Sequence, residues 1–190
     1  MDIAGVFYRI RNLLLHPATE WEAIASEDEE RTTVFKRFIV PLFCLIVVCC
    51  IVGSLLFASR MYFSFGYVVQ KVAVLLLSLS TGLYISSFLI NETMFLLTGT
   101  KNPNQVFSLL AYSSGVVYLV ISVVELFPFF NELLVLSLYS IYLYWRGIHH
   151  LLKIPVDKQI TFIILSFVVM VLVYLLAFYF FGNIMKAIFL

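Results

Sequence analysis

The feature that most constrains this chain is an apolar segment, residues 38–58, in which no residue is charged. At about 1.5 Å per residue, a helix of this length reaches across the ~30 Å hydrocarbon core of a bilayer. Apolar segments of similar length follow at residues 72–91, 106–126 and 160–183. Helices satisfy their own backbone hydrogen bonds inside lipid, so the pattern predicts an all-α, multi-pass integral membrane protein.

The composition supports the same class. Of the 190 residues, 63% are hydrophobic and 12% are charged, whereas a soluble domain typically carries about 25% charged residues. A single small core cannot bury that much apolar surface, so lipid is the expected second solvent. The net charge of +1 gives no support for nucleic-acid binding, which usually needs a basic patch.

A tight acidic connection, Glu125 to Glu132, predicts a hairpin that leads into a further span at residues 129–150. Its uncharged part, residues 133–145, covers only about 20 Å, so Arg146 must extend towards water.

Five spans with a cytoplasmic N-terminus and an outer C-terminus place nine Lys and Arg residues inside and three outside, which satisfies the positive-inside rule. Four spans would leave six on each side. The inner residues are Arg9, Arg11, Arg31, Lys36, Arg37, Lys101, Arg146, Lys153 and Lys158, and the outer ones are Arg60, Lys71 and Lys186.

Residues 1–37 form an amino-terminal region that we expect on the cytoplasmic membrane surface, ahead of the transmembrane domain at residues 38–190. Apolar residues recur there at spacings of three and four, which predicts an amphipathic interfacial helix. They are Ile3, Val6, Phe7, Ile10, Leu13 and Leu14. Phe7, Arg9 and Arg11 are candidate membrane-surface contacts, because long basic side chains can reach lipid phosphates. The alternative is an amphipathic helix that packs on the protein itself. The two interpretations are compatible, since one helix can contact both lipid and protein.

A second short helix is predicted after Pro17. Thr19 and Glu22 have the spacing of a capping box, in which the threonine hydroxyl caps the helix and the glutamate reaches back. Trp21 is expected in the headgroup region, where tryptophan is enriched. It is therefore a further candidate membrane-surface contact.

Polar residues on the second and third spans form the candidate functional face. They are Ser80, Tyr84, Ser87 and Asn91 on the second span, and Tyr112, Ser122 and Glu125 on the third. Ser78, Gly82 and Ser86 recur every four residues on the opposite side of the second span, where we expect another helix to approach closely. Glu125 has two interpretations: a hydrogen-bonded end of the hairpin, or a site of proton or cation coupling.

No catalytic, cofactor or metal site is predicted. The chain lacks the His-Glu-x-x-His, Cys-x-x-Cys and Gly-x-Ser-x-Gly motifs. His149 and His150 are adjacent, so on a helix their side chains point about 100° apart and are poorly placed to chelate one ion. Cys44, Cys49 and Cys50 all lie in the first apolar segment. We expect all three to be buried there and to act as small apolar side chains.

Several motifs together resemble the Yip1 domain family. The segment His16-Pro-Ala-Thr-Glu-Trp-Glu-Ala-Ile24 resembles the Pro-x-x-x-Trp-x-x-Ile signature that opens short prokaryotic members. The similarity continues in residues 105–113 (QVFSLLAYS), in Phe127-Pro128 and in the span that ends at Gly147. Family members often have proline soon after the Ala-Tyr-Ser unit, whereas this chain continues with Ser-Gly-Val.

The resemblance implies a five-helix membrane protein with a cytoplasmic N-terminus and no catalytic residues to carry over. Eukaryotic relatives are associated with vesicle traffic, Rab-type GTPases and membrane shaping. Because only residues 1–37 precede the first span, GTPase recruitment is not carried over. The leading hypothesis is a non-enzymatic protein of the bacterial inner membrane that organises the membrane or recruits partners, including copies of itself. The alternative is a small oligomeric transporter or channel for an ion or small solute, lined by the polar faces of spans two and three.

Overall fold

The structure is a computed structural model, which describes residues 3–57, 65–152 and 154–189. Helices are the only regular secondary structure within these ranges, so the expected all-α class is confirmed. They are α1 (Ile3–Leu15), α2 (Pro17–Glu27), α3 (Arg31–Val34), a π-helical turn (Phe35–Ile39), α4 (Val40–Phe57), α5 (Phe65–Thr98), α6 (Pro103–Leu126), a 3-10 helix (Pro128–Leu138), α7 (Tyr139–Leu151) and α8 (Val156–Phe189). Arg60 and Lys153, which enter the charge count, lie outside the described residues.

Four helical segments are long and apolar enough to cross a membrane. They are Arg31–Phe57, Phe65–Thr98, Pro103–Leu126 and Asp157–Ile188, and they coincide with four of the five predicted spans. Residues 129–150 instead fall in the 3-10 helix and in α7, whose 13 residues are too few to cross as an α-helix alone. Four candidate spans are therefore found among the described residues, and the count of five is not confirmed.

The first span is one continuous helical rod with a local π-helical turn. The backbone N–H of Val40 donates to the carbonyl of Phe35, five residues earlier, and α3 and α4 flank this turn. The expected domain boundary after residue 37 falls inside the turn. The rod packs along α6 with both helices running in the same direction, since Phe38 contacts Tyr112 and Phe43 contacts Tyr118.

Helices α5 and α8 pack against each other in antiparallel directions. The Lys158 ammonium donates to the Leu97 carbonyl at one end of the pair. Further along, Gly82 lies directly under the ring of Tyr174. Ser78, Gly82 and Ser86 are all buried, so the small residues predicted to admit a neighbouring helix do so, and the neighbour is α8.

Helices α1 and α2 share one hydrophobic core with the bundle. Val6, Ile10 and Leu13 are at most 5% exposed, so this side of α1 packs on protein. The predicted capping box does not form. Pro17 occupies the first helical position of α2, and the Thr19 hydroxyl donates to the His16 carbonyl instead of capping a backbone N–H. Proline's fixed φ suits that first position, so the helix begins there with His16 at the N-cap, and Thr19 lies inside the first turn.

Candidate functional site

The joint between α2 and the bundle centres on Trp21. Its side chain is 0% exposed and packs against Gly147 of α7, where a β-carbon would lie 2.9 Å from the indole ring. Leu109 of α6 closes the other side of the same gap. The expectation that Trp21 lies among lipid headgroups is therefore wrong. An indole buries a large apolar area, and the notch at Gly147 gives it a closer fit than the headgroup layer would.

Arg9 ties α1 to α2. Its guanidinium makes two hydrogen bonds of 2.8 Å to the Glu27 carboxylate and lies 3.2 Å from Glu20. It also sits 5.4 Å from the centre of the Tyr112 ring, a cation–π contact. Burial by itself lowers the pKa of Arg9, but the effect of these partners is larger and the pKa is raised. The guanidinium therefore stays protonated. Arg9 was expected to reach lipid phosphates, and the structure gives it protein partners instead.

The outward side of α1 remains apolar. Phe7, Tyr8, Leu14 and Leu15 are 45%, 63%, 39% and 60% exposed. The predicted stripe is thus divided: Ile10 and Leu13 pack on protein, while Phe7 and Leu14 stay outside together with Arg11. Contact of Phe7 and Arg11 with the membrane surface stays a prediction.

An ion pair joins α5 to the end of α6. The Lys71 ammonium lies 2.6 Å from the Glu125 carboxylate, and the two side chains are 35% and 13% exposed. At this level α4 also comes close, because Gly53 lies against the backbone of Glu125 and Leu126. This arrangement supports the structural interpretation of Glu125, since its charge is neutralised where three helices meet.

Replacing Glu125 with glutamine should therefore destabilise the protein. We expect a loss of about 1–3 kcal/mol in unfolding free energy, between the values for exposed and fully buried pairs, because a half-buried ammonium loses its partner. Denaturation by SDS in mixed micelles measures this. Glu132→Gln is the matched control, because Glu132 is exposed and forms no ion pair with any described residue. If both variants unfold alike, the pair with Lys71 is not structural.

Three other members of the candidate functional face make local hydrogen bonds. The Ser80 hydroxyl donates to the Leu76 carbonyl and the Ser122 hydroxyl to the Tyr118 carbonyl, each within its own helix. The Asn91 side chain accepts a hydrogen bond from the Asn102 backbone, which secures the loop between α5 and α6.

The aromatic members of the predicted face and Ser87 are engaged in packing. The Tyr84 ring contacts Phe107, and the Tyr112 ring contacts Phe38. Ser87 is 4% exposed. A cavity of about 590 Å³ between α5, α6, α7 and α8 is lined mainly by aliphatic and aromatic side chains. Such a lining does not favour passage of an ion, so the transporter alternative gains no support.

The histidines and cysteines show no metal-binding arrangement in the described residues. His149 Nδ1 lies 3.0 Å from the Gln159 amide of α8, and His150 Nδ1 lies 3.9 Å from Glu22 of α2. No group of three or more His, Cys, Asp or Glu side chains converges in these ranges. Cys44 is exposed, in contrast to the expected burial, whereas Cys49 and Cys50 are buried.

A family model for the Yip1 domain matches residues 11–179, from the second half of α1 into α8. The chain belongs to the Yip1 family. No curated protein sequence and no solved structure matches it. The match includes the Trp21 joint, the Glu125 ion pair, three of the four candidate spans in full and the fourth as far as residue 179. The apolar helices and the family together make this a multi-pass membrane protein.

Proposed function

We propose that this Yip1 family protein has no enzymatic activity and acts by organising the membrane or recruiting protein partners, including further copies of itself. The observation that carries the proposal is the docked pair α1–α2. Its inner side is fixed in the core by Trp21 and Leu13, while Tyr8 and Leu15 remain exposed. Exposed apolar residues on a rigid support are typical of surfaces that bind lipid or protein.

The proposed topology has five spans, with the N-terminus in the cytoplasm and the C-terminus outside the inner membrane. The backbone of Phe130 is non-helical and kinks the 3-10 helix, so only the residues after it continue into α7. Residues 131–138 rise about 2.0 Å each, and the 13 of α7 about 1.5 Å each, giving roughly 35 Å in total. That exceeds the ~30 Å hydrocarbon core. The excess of Lys and Arg in the inner segments favours the same orientation.

Recruitment through α1 can be tested by cross-linking in native membranes followed by purification of the full chain. We expect Leu15→Asn to reduce the yield of the partner about tenfold, as for the loss of ~1.4 kcal/mol of binding. Leu96→Asn is the matched control, because Leu96 is 81% exposed, on α5, and Leu15 is 60% exposed. Substitution is preferable to deletion of residues 1–37, which would remove Trp21 and uncover the surface around Gly147 on which it packs. Equal yields from both variants would count against recruitment through α1.

A further inference from the structure

A basin lies beside the start of the first span, between α1, the π-helical turn and α6. Its volume is about 650 Å³, within the range of small-molecule sites in proteins. Val6, Phe38 and Tyr112 form its apolar floor, and four charged side chains stand around it: Arg9, Glu29, Lys36 and Arg37. We call this feature the headgroup basin.

The residues that line the headgroup basin carry a net positive charge, which Glu20 and Glu27 offset from behind Arg9. Three cations and one carboxylate line the basin, and Arg9 is already committed to Glu20 and Glu27. Arg37 lies 3.0 Å from Glu29, but its side chain is 76% exposed and can turn to another anion. Lys36 is exposed and forms no ion pair with any acid in the described ranges. Two basic side chains are thus available for an anionic ligand.

The π-helical turn places these two cations at the basin. Lys36 and Arg37 are consecutive residues of the turn, between the core residues Val34 and Phe38. One extra residue in a helical turn shifts the residues that follow around the axis, and such turns are frequent at functional sites. From the sequence, both cations are recognisable only as inner charges, because a π-helical turn leaves no clear signal in hydropathy.

The depth of the basin identifies the ligand. Phe38, in its floor, is the first residue of the uncharged segment 38–58, so the basin lies at the level where the first span passes from the polar layer towards hydrocarbon. Basic residues immediately next to a transmembrane helix attract anionic lipids, at roughly 1 kcal/mol each. A phosphate on Lys36 and Arg37 would leave the glycerol and first acyl carbons of its lipid over Val6 and Tyr112.

We infer that the headgroup basin binds the phosphate of one anionic phospholipid from the leaflet in which the first span begins. Lys36 and Arg37 hold the phosphate, and Glu29 competes with it for Arg37. The ligand is a lipid and not the protein partner proposed above, so either proposal can fail alone.

The test uses the full chain purified in a neutral detergent and native mass spectrometry with added phosphatidylglycerol or phosphatidylcholine. The wild-type protein should retain phosphatidylglycerol in preference to phosphatidylcholine. Lys36→Gln with Arg37→Gln should weaken retention about 10- to 30-fold, the effect of about 1 kcal/mol from each of two cations. Arg31→Gln with Arg146→Gln is the matched control, since it removes the same charge from exposed positions outside the basin. Glu29→Gln should strengthen retention, because it frees Arg37.

Three outcomes would overturn the inference. The two double variants could lose the lipid equally, which would indicate general charge attraction. Glu29→Gln could leave retention unchanged while the basin variant lowers the melting temperature, which would make Lys36 and Arg37 structural. Glycerol 3-phosphate could compete with the lipid at equal concentration, which would make the ligand a water-soluble phosphate ester. A melting temperature in phosphatidylcholine equal to wild type shows that the basin variant has folded.

Discussion

Replacing Gly53 with alanine is expected to destabilise the bundle by about 1–3 kcal/mol, the range for overpacking a close-packed interior. A β-carbon at this position would overlap the Glu125 carbonyl oxygen and lie 3.0 Å from Leu126 Cα. Both are backbone atoms, so no rotamer change relieves the overlap and α4 must move away from α6. A larger residue such as leucine should prevent the two helices from packing at all.

The matched control for Gly53→Ala is Gly182→Ala. Gly182 lies in the interior of α8, and a β-carbon there would meet nothing within 4 Å. Alanine favours a helix over glycine by roughly 0.5–1 kcal/mol, so this variant should be neutral or slightly more stable. SDS denaturation of both variants measures the difference. A Gly53→Ala protein as stable as Gly182→Ala would show that α4 and α6 do not touch at Gly53.

Replacing Trp21 with alanine should cost about 3–5 kcal/mol, the range for truncating a large buried aromatic side chain. The indole fills the notch at Gly147 and is 0% exposed, so its removal leaves a cavity between α2, α6 and α7. We expect α2 to detach before the bundle unfolds, because few other large side chains hold it there. Its only other buried residue is Ile24.

Trp145→Ala is the control for Trp21→Ala. Trp145 lies on α7 and is 51% exposed, so its replacement should lower the unfolding free energy only slightly. Hydrogen exchange of the full chain distinguishes local from global effects. In Trp21→Ala, amides of residues 17–27 should exchange faster while those of α5 and α8 stay protected. Uniformly faster exchange would mean that α2 is a cooperative part of the bundle, and unchanged exchange would refute the anchoring role.

The two predictions concern different aspects of the Yip1 architecture. Gly53 lies where three helices meet around the Lys71–Glu125 ion pair, far from α1 and α2 in sequence. Trp21 anchors α2, and Arg9 of α1 is paired with Glu20 and Glu27 of α2, so we expect loss of Trp21 to loosen α1 and the headgroup basin as well. A protein that recruits partners or lipid through α1 therefore depends on Trp21 for orientation, although Trp21 touches neither ligand in the proposal.

The sequence by itself determined the helices and most of the spans. Uncharged segments of about twenty residues can only be helices in lipid, and this holds whatever they pack against. The spacing of Ser78, Gly82 and Ser86 also predicted a close helix neighbour, which is α8. The connection Glu125 to Glu132 likewise indicated where the third span ends, and α6 ends at Leu126.

Only the tertiary structure decided which apolar surface faces protein and which faces out. Lipid tails are as apolar as leucine, so hydropathy cannot tell Ile10, which is buried, from Leu15, which is exposed. The partners of Arg9 and of Glu125 lie 11 to 54 residues away in sequence, and no local pattern specifies such contacts. The position of Trp21 could not be predicted for the same reason. The notch that holds its indole exists only where α7 brings Gly147 beside α2.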